Sequence, residues 1–115
     1  MKEVQYVPKA CQVEGADFTG SVVISLPSQP QRYRYLAECN FQVSGEGKVE
    51  ADMSQLASVA KVLECAVAHI KAVTIKHKDG TEYKSFEDML DDPACSDMNL
   101  EIAMLVISGF RPGNG

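Results

Sequence analysis

Tryptophan is absent from this chain, and histidine occurs only twice. No Cys-x-x-Cys pair is present; Cys11, Cys39, Cys65 and Cys95 are widely separated. A structural zinc site is usually built from close Cys or His pairs, so the common zinc-ribbon and zinc-finger patterns are excluded. No apolar run approaches the roughly 18 residues that a membrane-spanning helix needs. Basic residues are outnumbered, 11 against 16 acidic ones, for a formal net charge of -5 and a pI near 4.9. Non-specific nucleic-acid binding depends on Lys and Arg neutralising phosphates, so neither nucleic acid nor an anionic membrane surface is expected as a partner. The opening residues Met1-Lys2-Glu3-Val4-Gln5-Tyr6 hold no apolar stretch of the signal-peptide kind. The sequence therefore predicts a cytoplasmic protein whose thiols are free rather than paired.

What is present is an ordinary globular composition: 115 residues, 45% hydrophobic and 23% charged. Surface scaling buries roughly two-thirds of the unfolded surface of a chain this size, enough for one core without staples. We expect a single domain over 1–110 and a disordered tail over 111–115. Residues 1–20 read as mixed, with Ala16-Asp17-Phe18-Thr19 irregular between Gly15 and Gly20. The β-branched run Ser21-Val22-Val23-Ile24-Ser25-Leu26 predicts a strand ended by Pro27. Ser28 or Gln29 caps a helix over about 30–40, with Pro30 in its first turn. Gly45-Glu46-Gly47 reads as a loop.

The clearest helix spans about 53–70. Leu56, Val59, Leu63, Ala66, Val67 and Ile70 recur at helical spacing, with Ser54, Ser58 and Lys61 opposite, and Val62, Cys65 and Ala68 widen the apolar stripe beyond what one contact surface needs. Residues 72–84 predict a β-hairpin, turning at Asp79-Gly80 in a two-residue type I′ turn. Ser85 caps a short helix near 86–91 through the N–H of Asp88. Ser96 caps a last helix over 97–108, which Gly109 stops. The fold class expected is α+β: three main helices with a small antiparallel sheet that includes the hairpin.

Two glycine spacings and one thiol–imidazole pair bear on chemistry. Gly15-x-x-x-x-Gly20 has phosphate-loop spacing, but Ser21-Val22 stands where Lys-Ser/Thr is required. Gly45-x-Gly47 meets Glu50 where a third glycine belongs. Cys65 and His69 share a helix face, which is a partial metal or nucleophile–base pair; His77 lies on the hairpin that follows, and a fourth metal ligand would have to come from Cys39 or Cys95. The thiol lies among Leu63, Ala66 and Val67, surroundings that make a cysteine inert. No catalytic residue, metal or cofactor is expected.

Two patterns point to binding instead. Glu87, Asp88, Asp91, Asp92, Asp97 and Glu101 form an acidic region without an intervening base, next to a stretch with Lys71, Lys76, Lys78 and Lys84. This is either a solvated surface or a means of head-to-tail pairing between copies. The last helix is apolar almost all round: Met98, Leu100, Ile102, Ala103, Met104, Leu105, Val106 and Ile107. Such a helix is buried in the core or shared with a partner. In the second case Met98, Met104 and Leu105 form the exposed stripe. The candidate partner-binding residues are thus Met98, Glu101, Met104, Leu105, Asp91, Asp92, Lys76 and Lys78.

The stretch from Lys71 to Phe110 resembles the tail assembly chaperones of tailed bacteriophages. The likeness lies in Val73-Thr74-Ile75, in Asp79-Gly80-Thr81, in Ser85 through Cys95, and in an apolar helix ending Ser108-Gly109-Phe110. Leu26-Pro27-Ser28-Gln29-Pro30-Gln31-Arg32 also looks like the strand–Pro–helix opening of such proteins. The resemblance implies a non-enzymatic protein that covers the tape-measure protein, recruits tail-tube subunits, self-associates and acts in the host cytoplasm. It assigns no contact residue. A structural virion protein of the tail or head–tail connector is the alternative, and a small metal- or thiol-dependent enzyme is the second.

Overall fold

The computed structural model describes residues 2–40, 42–43, 49–50 and 56–109. The expected loop over 45–47, the start of the long helix and the tail over 111–115 lie outside them. The described chain is α+β, with five helices and two small three-stranded antiparallel sheets.

The first sheet is built from β1 (Glu3–Tyr6), β3 (Val22–Ser25) and β6 (Ile70–Val73), in the order β1-β3-β6. The second holds β2 (Phe18–Thr19), β7 (Ile75–His77) and β8 (Glu82–Tyr83), in the order β2-β7-β8. A third ladder pairs β4 (Gln42–Val43) with β5 (Val49–Glu50). The expectation of irregular chain over 16–19 is corrected, since Phe18–Thr19 forms β2; β1 and the one-turn helix α1 (Lys9–Gln12) lie in the rest of the mixed segment 1–20. Glu3-Val4-Gln5-Tyr6 alternates exposed and half-buried positions. That period of two suits a strand with one face on the core.

The two main sheets are one ladder with a bend. Phe18 opposes His77, Thr19 opposes Lys76, Val22 opposes Val73 and Val23 opposes Ala72, all in a single register. Between them the Thr74 N–H still reaches Ser21 O at 2.9 Å. Strand hydrogen bonding breaks at Gly20, whose φ is +118°. A Cβ on Gly20 would stand 1.8 Å from the Thr74 carbonyl oxygen. Only glycine lets the two backbones cross this closely, and the sheet folds there. A one-residue slip between Val23 and Ile24 adds further twist at the other end.

This bend shortens the expected 72–84 hairpin to β7 and β8. Lys78-Asp79-Gly80 forms a three-residue loop, not the expected two-residue turn. Gly80 has positive φ but Asp79 does not, and the Gly80 N–H closes a turn onto His77 O at 2.9 Å. A type I′ turn needs positive φ at both central residues. Here Asp79 instead turns its carboxylate onto the Thr81 N–H at 2.8 Å.

Helix α2 (Gln29–Glu38) is capped by Ser28, whose hydroxyl accepts from the Gln31 N–H at 3.3 Å. Helix α4 (Phe86–Leu90) is capped as expected by Ser85 through the Asp88 N–H at 3.1 Å. Asp92 caps the 3-10 turn Pro93–Cys95, which runs directly into α5 (Ser96–Ser108). Ser96 is therefore the first residue of α5 and not its cap; its hydroxyl donates to Pro93 O at 2.8 Å.

Helix α3 (Leu56–Val67) buries much of the expected stripe, with Leu63 and Val67 half-buried against the core, but it departs from it at two positions, Ser58 and Leu56. Ser58, Val62, Cys65 and Ala66 are buried, while Leu56 is 82% exposed. The buried stripe is rich in small side chains, and α3 packs on α5 within the same core. Small residues allow two helices to approach closely, so Ser58 is taken inside and Leu56 is left out. The long helix also ends at Val67, and Ile70 belongs to β6.

Helix α5 is the centre of the domain. Helices α2, α3 and α4 all pack on it. Met98, Ile102, Ala103, Val106 and Ile107 are buried, in one core with Phe18, Val22, Ile24, Val73, Ile75, Tyr83 and Phe86 from the sheets and α4. Of the two readings of its all-round hydrophobicity, the core reading accounts for most of the helix. Among the described residues, no helix is long and apolar enough to cross a membrane.

Candidate functional site

The sequence candidates fall into three groups. Met98 is buried and is a core residue, not part of an exposed stripe. Met104 and Leu105 are half-buried, with Met104 packed against the core. Glu101 turns back on its own chain: it accepts from the Tyr6 hydroxyl and from the Lys9 N–H at 3.0 Å. It thereby fastens the N-terminal arm to α5. Burial, and then this carboxylate, push the Tyr6 hydroxyl's pKa upward.

Three of the charged candidates, Lys76, Asp91 and Asp92, line clefts beside β8. On the exposed side of the second sheet, Thr19, Thr74, Lys76, Glu82 and Lys84 line a cleft of about 430 Å³. Register puts Thr19, Lys76 and Glu82 in one row across the strands. Lys76 Nζ lies 4.0 Å from Glu82, both more than half-exposed. A pair of that kind contributes little and is easily exchanged. Lys78 lies outside the cleft, 2.8 Å from Asp17. That hydrogen bond holds the Asp17 carboxyl below its ordinary range and raises the lysine.

Beyond β8 lies a second cleft of about 460 Å³, lined by Thr81, Glu82, Tyr83, Asp88, Asp91, Asp92 and Pro93. Asp91 ends α4 and is exposed. Asp88 accepts from the Lys84 N–H at 3.1 Å. Asp92 is committed to the fold: it accepts from the Tyr83 hydroxyl and from the Ala94 N–H at 3.0 Å. The Tyr83 hydrogen bond lowers the Asp92 carboxyl and raises the tyrosine. Glu82 and Tyr83 line both clefts. An acidic groove and a lysine-bearing groove therefore lie side by side, divided by β8.

Thr19 and Thr74 were not among the sequence candidates. The signal for them was the outward alternation Thr74-Lys76 and Glu82-Lys84, which needs the register of β2 to bring in Thr19.

The Cys65–His69 pair does not assemble as a nucleophile and base. His69 is buried, and both ring nitrogens are engaged: Nδ1 lies 2.9 Å from Ser25 O and Nε2 lies 2.8 Å from the Tyr35 hydroxyl. A carbonyl can only accept, so Nδ1 donates to Ser25 O, and Nε2 shares a hydrogen bond with the Tyr35 hydroxyl. Gln31 in turn donates to the Tyr35 oxygen at 2.9 Å. This chain ties α2, the end of α3 and β3 together. The Cys65 thiol points instead to Glu38, donating to Oε2 at 3.7 Å. Burial and the neighbouring Cys39 thiol push Cys65 up to about 12. Among the described residues, no three His, Cys, Asp or Glu side chains are grouped to hold a metal ion.

No protein-family model, curated protein or solved structure matches the chain.

Proposed function

We propose that this chain is a non-enzymatic binding and assembly protein that docks protein partners along β8. The observation behind this reading is the adjacency of the two clefts of opposite character, with Lys76 and Lys84 on one side and Asp88 and Asp91 on the other. A surface with both signs next to each other complements itself when a second copy is turned to face it. It equally suits a partner with alternating charge. Charge complementarity of this kind sets register and accelerates encounter more than it adds affinity, which fits a transient assembly factor. With the likeness of residues 71–110 to phage tail assembly chaperones, the specific role proposed is covering a tape-measure protein in the host cytoplasm. A tail-tube subunit then displaces the chaperone by mass action.

The test is co-expression with a phage tape-measure protein and its tail-tube protein, followed by affinity capture. Capture of the tape-measure protein, lost in Lys84→Glu and in Asp91→Lys, supports the proposal. Capture unaffected by both variants overturns the placement on β8. Recovery of the chain from purified, mature particles overturns the chaperone role in favour of a structural virion protein.

A further inference from the structure

We propose that the outer edge of β8 is a strand-addition site, which pairs with a short extended segment of a partner protein carrying lysine or arginine. The proposal deepens the reading of β8 as the docking strip and rests on it. In the order β2-β7-β8, β8 is an outer strand. The His77 N–H bonds Thr81 O at 2.8 Å. Bonded positions in an antiparallel pair recur at every second residue. Thr81 and Tyr83 therefore turn their backbone toward β7, and Glu82 and Lys84 turn theirs outward. The far side of β7 agrees: the Thr74 N–H reaches Ser21 O at 2.9 Å and the Lys78 N–H reaches Asp17 O at 2.8 Å. Even-numbered residues of β7 thus serve β2, and odd-numbered ones serve β8.

The two outward positions differ. The Lys84 N–H is taken by the Asp88 carboxylate at 3.1 Å, an acceptor standing where a neighbouring strand's carbonyl would stand. Among the described residues, nothing bonds the N–H or C=O of Glu82. Both groups open on the cleft of about 460 Å³ walled by Asp88, Asp91, Asp92 and Pro93. Unpaired edge groups of this kind are a template for another strand. Backbone hydrogen bonds then supply affinity, and side chains along the pleat supply selectivity. Charge selects the occupant. The cleft lining holds no basic residue. Asp88 and Asp92 already accept from the Lys84 and Ala94 N–H groups and the Tyr83 hydroxyl. Asp91 is exposed, and among the described residues its carboxylate has no hydrogen-bond partner. It is the carboxylate left for a guest. A lysine or arginine beside it is attracted, and an acidic residue there is repelled. The opening is short, closed by Asp88 at one end and by the Gly80 turn at the other. Pairing is therefore weak and quickly exchanged.

The experiment titrates the purified full chain with an acetylated Val-Arg-Val-Arg-Val peptide and follows backbone amides by NMR, with hydrogen exchange read at saturation. The comparison probes are the same peptide N-methylated throughout, which keeps the charge but has no backbone donor, and Val-Glu-Val-Glu-Val. The Glu82 amide should exchange at least about tenfold more slowly when the basic peptide is bound. N-methylation should weaken binding about tenfold. Asp91→Lys should weaken it about fivefold, and the acidic peptide should not bind. Asp91 is exposed at the end of α4, where a lysine suits the helix dipole, so this variant folds. An N-methylated peptide that binds as well as the parent overturns strand addition; if Asp91→Lys still weakens both, charge docking at β8 stands without it. Binding that ignores Asp91→Lys overturns the choice of a basic occupant. The other outer strand is the internal comparison: the Leu26 N–H bonds Lys2 O at 2.9 Å, so Glu3 and Gln5 face outward on β1. Protection at Glu3 and Gln5 in place of Glu82 overturns the proposal. So does a basic peptide that fails to bind, while the docking reading is then judged by its own capture experiment.

Discussion

Gly20→Ala tests the bent-ladder account of the fold. The substitution acts in two ways. At φ +118° an alanine is strained whatever space surrounds it, at about 1–3 kcal/mol. Its Cβ would also lie 1.8 Å from Thr74 O and 2.7 Å from the Thr74 carbonyl carbon. Relief requires the Thr74 backbone to move by more than about 1 Å, because tolerable contacts begin near 3 Å. Thr74 cannot move freely. Its N–H and hydroxyl both bond Ser21 O, at 2.9 and 3.1 Å, and Ile75 beside it is buried. Losing those bonds adds about 1 kcal/mol each. The expected destabilisation is about 3–5 kcal/mol, a large share of the roughly 5–15 kcal/mol that a domain possesses. Gly15→Ala is the control: φ is +74° there, and nothing lies within 4 Å, so about 1 kcal/mol is expected. Urea unfolding followed by circular dichroism measures both. If the two variants differ by less than about 1 kcal/mol, the close crossing at Gly20 and Thr74 does not hold the sheet as described.

The helix faces and the turn make further predictions. Ile102→Ala should cost about 2–5 kcal/mol and Val62→Ala about 1–3, while Leu56→Ala should cost under about 0.5; equal losses for Val62 and Leu56 in the same unfolding assay would return Leu56 to the stripe read from the sequence. Asp79 is held down to about 2, first by the Thr81 N–H, and Asp92 is held below its ordinary range by the Tyr83 hydroxyl. A carboxyl lowered by folding adds stability that is fully present above its unfolded value, near 4. Stability should therefore fall as pH drops from about 4 through about 2, and Asp79→Asn should flatten that fall when unfolding midpoints are followed across the range.

Much of this fold is written locally. Ser28 and Ser85 cap the helices that their spacing announces, and Val22-Val23-Ile24-Ser25 forms the strand that its branching favours. Two of the misreadings share a cause: long-range contacts decided them. Ser58 looks like an outward position until α5 is laid against α3, where a small side chain suits the contact better than Leu56. Val73 through His77 reads as one strand until Gly20 brings another backbone across it. The candidate site was half legible. The opposed charges around β8 could be read directly, but Glu101 and Asp92 carry no sign in the sequence that Tyr6 and Tyr83 will claim them. The hydrophobicity of α5 could not distinguish core from interface, because burial inside a small domain and burial against a partner make the same demand on a helix.

The central claim is that the paired clefts beside β8 bind protein by complementary charge. Sedimentation of the purified chain over a range of concentration and salt tests it most directly, with Lys84→Glu and Asp91→Lys studied alone and mixed. The account predicts association that weakens as salt rises, that is lost in each variant alone, and that returns when the two variants are mixed, because each supplies the sign the other has lost. Association that ignores salt and both substitutions, or a mixture no more associated than its components, would contradict it.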